Sequence, residues 1–314
     1  MNRTKTTSTN KTISASDRES AWLYQPQIEL ASCIFAAVER NTLQRSLDAR
    51  QRFNYYPASP LPQLSWIFEG QLHLTRLERH AESSLEPALP KLVIAGPQTM
   101  PSASWSPGAV HALTVSFYPQ ALSRFLHKPL SQLSNRVEPL DAWASPEFCT
   151  LAYNLFSHAS SHSFQAWQEL LLQHWQQHRE QSVLPLLGDW VRSQLSKVAF
   201  SDAGISLRQW QRRIKQMTGH SQQDLQFFSQ VEETFVRLVT KSDAASKNFS
   251  DLAYEAGFAD QSHMGRSVKR ITGLSPARFM ELMQTEESFW FYRLLEGHVR
   301  QQHGPAASPN SDGT

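Results

Sequence analysis

The sequence predicts an α+β protein, with a small β-barrel or sandwich followed by an all-α domain of two helix-turn-helix units. Three observations lead there. From about residue 50 to 118, short apolar runs alternate with prolines at 57, 60, 62, 87, 90, 97, 101 and 107, the punctuation of short strands. From Pro119 onward apolar residues recur at helical spacing. Near the C-terminal end, one helix-turn-helix pattern occurs twice, 54 residues apart.

The second copy is the clearer one. Ser250 is placed to cap a short helix whose apolar stripe is Leu252, Ala253 and Ala256, and Gly257 supplies the left-handed residue that ends it. Phe258 plugs the turn and Asp260 caps the next helix. There Met264, Val268 and Ile271 form the buried stripe, Gly273 closes the helix and Pro276 prevents its continuation. Ser262, Arg266 and Lys269 lie on another face, with no acid between Gln261 and Gly273.

At the 54-residue offset Ser206 falls on Asp260, and Trp210, Ile214 and Met217 fall on Met264, Val268 and Ile271. Arg212, Lys215 and Thr218-Gly219 fall on Arg266, Lys269 and Thr272-Gly273. A solvated charged face would not repeat cap, core, stop and basic positions together, so this is a duplicated supersecondary unit. A basic helix carrying Gln and Arg suits the major groove of double-stranded DNA, where Arg pairs with guanine and Gln with adenine. The stripe of Trp210, Ile214 and Met217 leaves Arg208, Gln211 and Arg212 to face bases, with Lys215 one turn on for phosphate. Gln261, Ser262, His263 and Arg266 are the second unit's readers, with Lys269 and Arg270 completing the expected DNA-binding set.

These residues carry a family resemblance. Ser206-Leu-Arg-Gln-Trp-Gln-Arg-Arg and the stretch from Gly257 to Pro276 resemble the DNA-binding domain of the AraC/XylS family of bacterial transcription regulators, firmly over about residues 190–285. The resemblance implies a transcription regulator with a cupin-like N-terminal sensor domain, a small-molecule effector for that sensor, and RNA polymerase as a protein partner. The base-contacting positions of the family's motif coincide with the first unit's readers, Arg208, Gln211 and Arg212. Gly96-Pro-Gln-Thr and the stretch from Phe117 to Leu126 resemble the sensor of one uncharacterised subgroup.

Three departures bear on affinity. The bridging segment reads Gln230-Val-Glu-Glu-Thr-Phe where the family carries arginines. Gly265 stands opposite Gln211 and offers no side chain, and Ser221-Gln222 replaces the Ser-Pro that follows the second unit. Weaker recognition, or recognition dominated by the first unit, is the expectation.

The chain's 314 residues and 40% hydrophobic content suit two domains with ordinary cores. Expected segments are a tail at 1–19, the β-rich domain at 20–160, a linker helix at 161–183, the DNA-binding domain at 184–296 and a tail at 297–314. The net charge of +2 favours no partner by itself, so local clustering carries the nucleic-acid argument. No apolar run approaches a membrane span, and the start Met1-Asn-Arg-Thr-Lys lacks the apolar stretch of a secretion signal. With only Cys33 and Cys149, this points to the cytoplasm.

In the β-rich part, strands are expected on both sides of a turn at Gly70, at 91–95 and at 110–118, the last stopped by Pro119 at the start of a helix. Helices follow at roughly 141–157 and 164–180. In the latter Phe164, Trp167, Leu171 and Trp175, widened by Leu170 and Leu172, need a covering surface. Packing within the chain is the expectation and a homodimer the alternative. His73, His80 and His111 lack paired-ligand spacing, so ordinary surface or half-buried histidines are expected rather than a metal site. Tyr55, Tyr56, Trp66, Phe68 and Trp105 are candidates for an effector pocket, with core packing the favoured role for each.

No motif for hydrolysis or phosphate cradling occurs, so neither an enzyme nor a cofactor is expected. Two alternatives stand beside the DNA-binding regulator. One is a partner-dependent regulator with weak DNA affinity of its own, and the other is a cysteine that accepts alkyl groups from DNA. Neither Cys33 nor Cys149 has a basic sequence neighbour to lower its pKa.

Overall fold

Residues 11–12, 20–75, 85–158, 162–175, 207–240 and 249–303 are described by the computed structural model. A β-rich N-terminal part precedes a helical C-terminal part. The strands are β1 (Lys11–Thr12), β2 (Ala21–Tyr24), β3 (Ile34–Asn41), β4 (Phe53–Tyr56), β5 (Gln63–Glu69), β6 (His73–Thr75), β7 (Leu92–Ala95), β8 (Ser102–Trp105), β9 (His111–Phe117) and β10 (Val137–Pro139). A seven-stranded sheet runs β1-β2-β3-β9-β5-β7-β10, and a three-stranded sheet runs β4-β8-β6, every pair antiparallel.

Gly70 makes the corner at which the chain leaves the large sheet for the small one. Its φ of +77° is left-handed, and a Cβ there would sit 2.2 Å from the Ala109 carbonyl oxygen, so only glycine fits.

The two faces of the large sheet differ in chemistry. On one, Leu64, Trp66, Leu92, Ile94, Leu113, Val115 and Phe117 form the main core. Helices α1 (Pro119–Leu122), α2 (Pro146–Asn154) and α3 (Ser163–Trp175) belong to this side. Phe164, Trp167, Leu171 and Trp175 are all buried in that same core, so the apolar stripe of α3 is covered within the chain. The opposite face carries half-buried Gln63, Ser65, Thr114 and Ser116. Ser65 and Thr114 share a 2.8 Å hydroxyl contact, and Gln63 donates to Ser116. Val38, which stands on this face beside Thr114, packs against the cluster of Ala21, Leu23, Trp290 and Leu294, so Trp290 and Leu294 lie against the β2–β3 end of this face.

Helices α4 (Leu207–Thr218), α5 (Gln222–Thr240), α6 (Phe249–Glu255), α7 (Gln261–Thr272), α8 (Pro276–Thr285) and α9 (Trp290–His303) complete the chain. The bridging segment is one continuous helix, α5, from Gln222 to Thr240. Helix α9 runs on to His303, through the start of the stretch expected to be a tail, and it packs on the N-terminal sheets. Its Trp290 donates to Asn54 Oδ1 (2.8 Å) and lies under the Arg40 guanidinium, which is paired at 2.7 Å with Glu287. No helix among the described residues is long and apolar enough to cross a membrane.

Candidate nucleic-acid interface

The basic helices α4 and α7 end in the same way, and α7 is also capped at its start. Asp260 caps α7 by accepting from the His263 amide (2.6 Å), and Gly273, at φ +80°, donates back to Lys269 O (2.8 Å). Gly219 ends α4 the same way, at φ +75° with its amide on Lys215 O (2.9 Å). Where the second unit has Ser275-Pro276, the first builds a reciprocal cap. Ser221 Oγ accepts from the Asp224 amide (3.1 Å), and Asp224 Oδ2 accepts from the Ser221 amide (3.3 Å). The missing proline is thereby replaced. The first unit's cap Ser206 lies outside the described residues, as does the side chain of Trp210.

Both helices bury one face and expose the other. On α4, Ile214 and Thr218 are buried and Met217 half-buried, while Arg208, Gln209, Gln211, Arg212, Lys215 and Gln216 are exposed. On α7, Met264, Ser267, Val268 and Ile271 are buried, while Gln261, Ser262, His263, Arg266, Lys269 and Arg270 are exposed. Thus every expected reader is at the surface. Phe258 is buried with Ala253, Ala256, Met264 and Val268, plugging the turn, and its ring meets His263 edge-on. A Cβ on Gly265 would meet nothing within 4 Å, so no packing demand explains that glycine.

Arg270 stands apart from the other basic residues. Its guanidinium is 2.7 Å from Asp224 Oδ1 and 4.3 Å above the Phe227 ring, strapping α7 to the start of α5. Burial pushes the Asp224 carboxyl up, but hydrogen bonds from Ser221 and Arg270 outweigh it and hold the group below the usual carboxylate range. The bridging helix spends its polar groups internally as well. Gln230 donates to the Ala256 and Gly257 carbonyls at the end of α6, and Glu233 pairs with Arg237 (2.6 Å). Gln230 thus makes the contact with α6, while Glu233 is neutralised one turn on within its own helix.

Residues 201–281 match the family described as "Helix-turn-helix domain". This segment is similar to AraC-type helix-turn-helix domains. Residues 23–139, the β-rich part, match a domain of unknown function, DUF6597. No curated protein matches the chain. Similar solved structures include ToxT from Vibrio cholerae O395, at 11% identity over 74% of this chain and 95% of that one, with a TM-score of 0.34. Another is unsaturated fatty acid-bound wild-type ToxT from Vibrio cholerae strain SCE256, at 11% identity over 73% and 94%, with a TM-score of 0.32.

The N-terminal candidates resolve into packing roles. Trp66 is fully buried against Trp167 and donates to Ala152 O (2.8 Å). Tyr55 and Trp105 pack in one cluster with Phe279, Phe289 and Tyr292, Tyr56 meets Trp290 and Phe291, and Phe68 meets His111 and Phe156. His111 is not an ordinary surface histidine. It is buried with its Nε2 2.7 Å from Glu39, which also accepts from the Tyr24 hydroxyl, because a carboxylate inside a sheet requires such partners. His73 belongs to the other sheet, bonded to Glu86 O, and His80 lies outside the described residues. Among the described residues no three potential ligands converge. Burial raises the thiol pKa of both Cys33 and Cys149, the opposite of what an alkyl-accepting thiolate needs.

Proposed function

We propose that the chain reads a bipartite DNA site through α4 and α7, which enter successive major grooves on one face of the duplex. The observation that carries this is the duplication itself: two helices with matched C-terminal ends present matched exposed faces. Arg208, Gln211 and Arg212 read bases in one groove, with Gln261, Ser262, His263 and Arg266 in the other. Lys215 and Lys269 bind phosphate. The 19 residues of α5 span roughly 28 Å at ~1.5 Å each. With the widths of the flanking units this approaches the ~34 Å of one turn of B-DNA. One chain then reads an asymmetric site, and no palindrome is required.

Selection of bound duplexes from a random library tests this. The expected result is two unlike half-sites about one helical turn apart, and inserting five base pairs between them should lower affinity to that of a single half-site. A spaced site bound as tightly as the original would leave only one reading helix.

The half-buried polar face of Gln63, Ser65, Thr114 and Ser116 on the large sheet favours a small polar effector as the signal for the N-terminal part. Chemical-shift changes at these residues on adding candidate ligands would test that role, and changes confined to the protein's exterior would refute it.

A further inference from the structure

Both recognition helices end against the N-terminal part of the chain. At the end of α7, the Ile271 carbonyl, one of the last four that a helix leaves without an internal partner, accepts from the Ala58 amide at 2.9 Å. At the end of α4, Gly219 lies so close to the loop that a Cβ on it would be 2.5 Å from Ser134 Oγ and 3.2 Å from Pro97 Cγ. The side chains agree with the backbone, since Ile214 of α4 and Ile271 of α7 are both buried in the core cluster that contains Trp66 and Phe117.

The two anchoring points are themselves joined. Ser59, next to Ala58, and Gln98, next to Pro97, exchange both backbone hydrogen bonds, at 3.0 and 2.8 Å. Such a pair holds its two backbones about 5.5 Å apart. Pro97 is tied in turn to the Ser134 loop by the Asn135 amide on its carbonyl (2.9 Å). The ends of the two recognition helices therefore rest on neighbouring segments of one bonded strip. By contrast, the Arg270–Asp224 strap between α7 and α5 is half-exposed, and an exposed ion pair is a weak positioning device.

We propose that the strip Ala58–Ser59 and Pro97–Gln98 is a spacer that fixes the separation of α4 and α7, and with it the half-site spacing the chain accepts. This rests on α4 and α7 being the DNA-reading helices. Ala58, Ser134 and Gly219 are then specificity-determining positions that touch no base. Any signal that shifts the strip would change which spacing is bound.

The test measures full-length protein on duplexes carrying both half-sites at spacings stepped by single base pairs, and on each half-site alone. Wild type should bind its best spacing ~100-fold or more above a single half-site, as linked units do. Ser134→Trp, a wedge beneath Gly219, should flatten or move that optimum while single half-site affinity stays within about twofold. Ala58→Pro, which removes one donor, attacks the other anchor and should do the same, and it serves as the test if Ser134→Trp does not fold. A variant profile that overlays wild type would overturn the spacer and leave α5 to set the spacing. If wild type binds one half-site as tightly as the pair, the two-helix reading itself fails, a result distinct from the first.

Discussion

Thr218 and Thr272 make the same hydrogen bonds at the same point of two different helices. Thr218 Oγ1 donates to Ile214 O (2.7 Å) and accepts from the His220 amide (3.1 Å), while Thr272 Oγ1 donates to Val268 O (2.9 Å) and accepts from the Leu274 amide (3.2 Å). Both hydroxyls sit one residue before a left-handed glycine and supply an amide that the helix has left behind. The duplication thus extends from side-chain pattern to hydrogen bonding.

Replacing either threonine by valine keeps the shape and removes the hydroxyl. The amide of His220 or Leu274 then loses its partner inside the fold, a loss of about 1–3 kcal/mol. Thermal or urea denaturation should show comparable destabilisation for Thr218→Val and Thr272→Val. A near-zero effect for one and a large effect for the other would mean that the two ends are not equivalent.

Where the repeat is imperfect, a different behaviour is expected. His220 stands where the second unit has Leu274, buried beside Phe228 with neither ring nitrogen hydrogen-bonded among the described residues. Burial pulls its pKa from 6.5 down to about 4, against the attraction of Asp224 and with the repulsion of Arg270. The unfolded chain therefore binds the proton more readily between pH 6.5 and about 4. Stability is full above pH 6.5 and falls through that window, by ~3 kcal/mol in all at 1.36 kcal/mol per pKa unit. His220→Leu copies the second unit and should lose this slope. Parallel stability curves for wild type and His220→Leu across pH 4–7 would show that the ring is accommodated when charged.

Legibility in the sequence followed the range of the forces. The duplicated unit could be read because its caps, stops and buried stripe lie within a dozen residues of one another. The interior strand β3 could not, since Ile34-Phe-Ala-Ala-Val-Glu-Arg-Asn has no clean alternation and buries Glu39 and Arg40. Those charges are tolerated only because His111, Tyr24 and Glu287, distant in sequence, meet them. The aromatics Tyr55 and Trp105 offered a pocket in the sequence but face α8 and α9 in the fold, a contact no local pattern encodes. The docking of Gly219 and Ile271 on the Ala58–Gln98 strip is equally non-local.

Gly265 offers a clean gain. Its Cβ direction is open, so Gly265→Ala should stabilise the protein by about 1 kcal/mol through helix propensity alone. Gly265→Gln should add a side chain equivalent to Gln211 and sharpen the half-site read by α7, which in wild type is expected to be the more degenerate. Melting curves and logos from selected duplexes check the two effects separately. A wild-type logo with its stronger information in the α7 half would oppose the proposed hierarchy.

Three basic residues should separate by role when binding is measured against salt and sequence. Arg212 faces outward from the middle of α4, so Arg212→Ala should cost ~1–3 kcal/mol of binding and relax the preference at particular base pairs. Lys215, one turn on, should leave sequence preference intact when changed to Ala and reduce the slope of log affinity against log salt by about one. Arg270 is exposed too, but its guanidinium is held by Asp224 and stacked on Phe227. Arg270→Ala should therefore lower stability by no more than ~1 kcal/mol, as a half-exposed pair does, and leave the salt slope unchanged. A full unit lost from the slope in that variant would return Arg270 to the phosphate-binding set and make its pairing with Asp224 a resting state of the free protein.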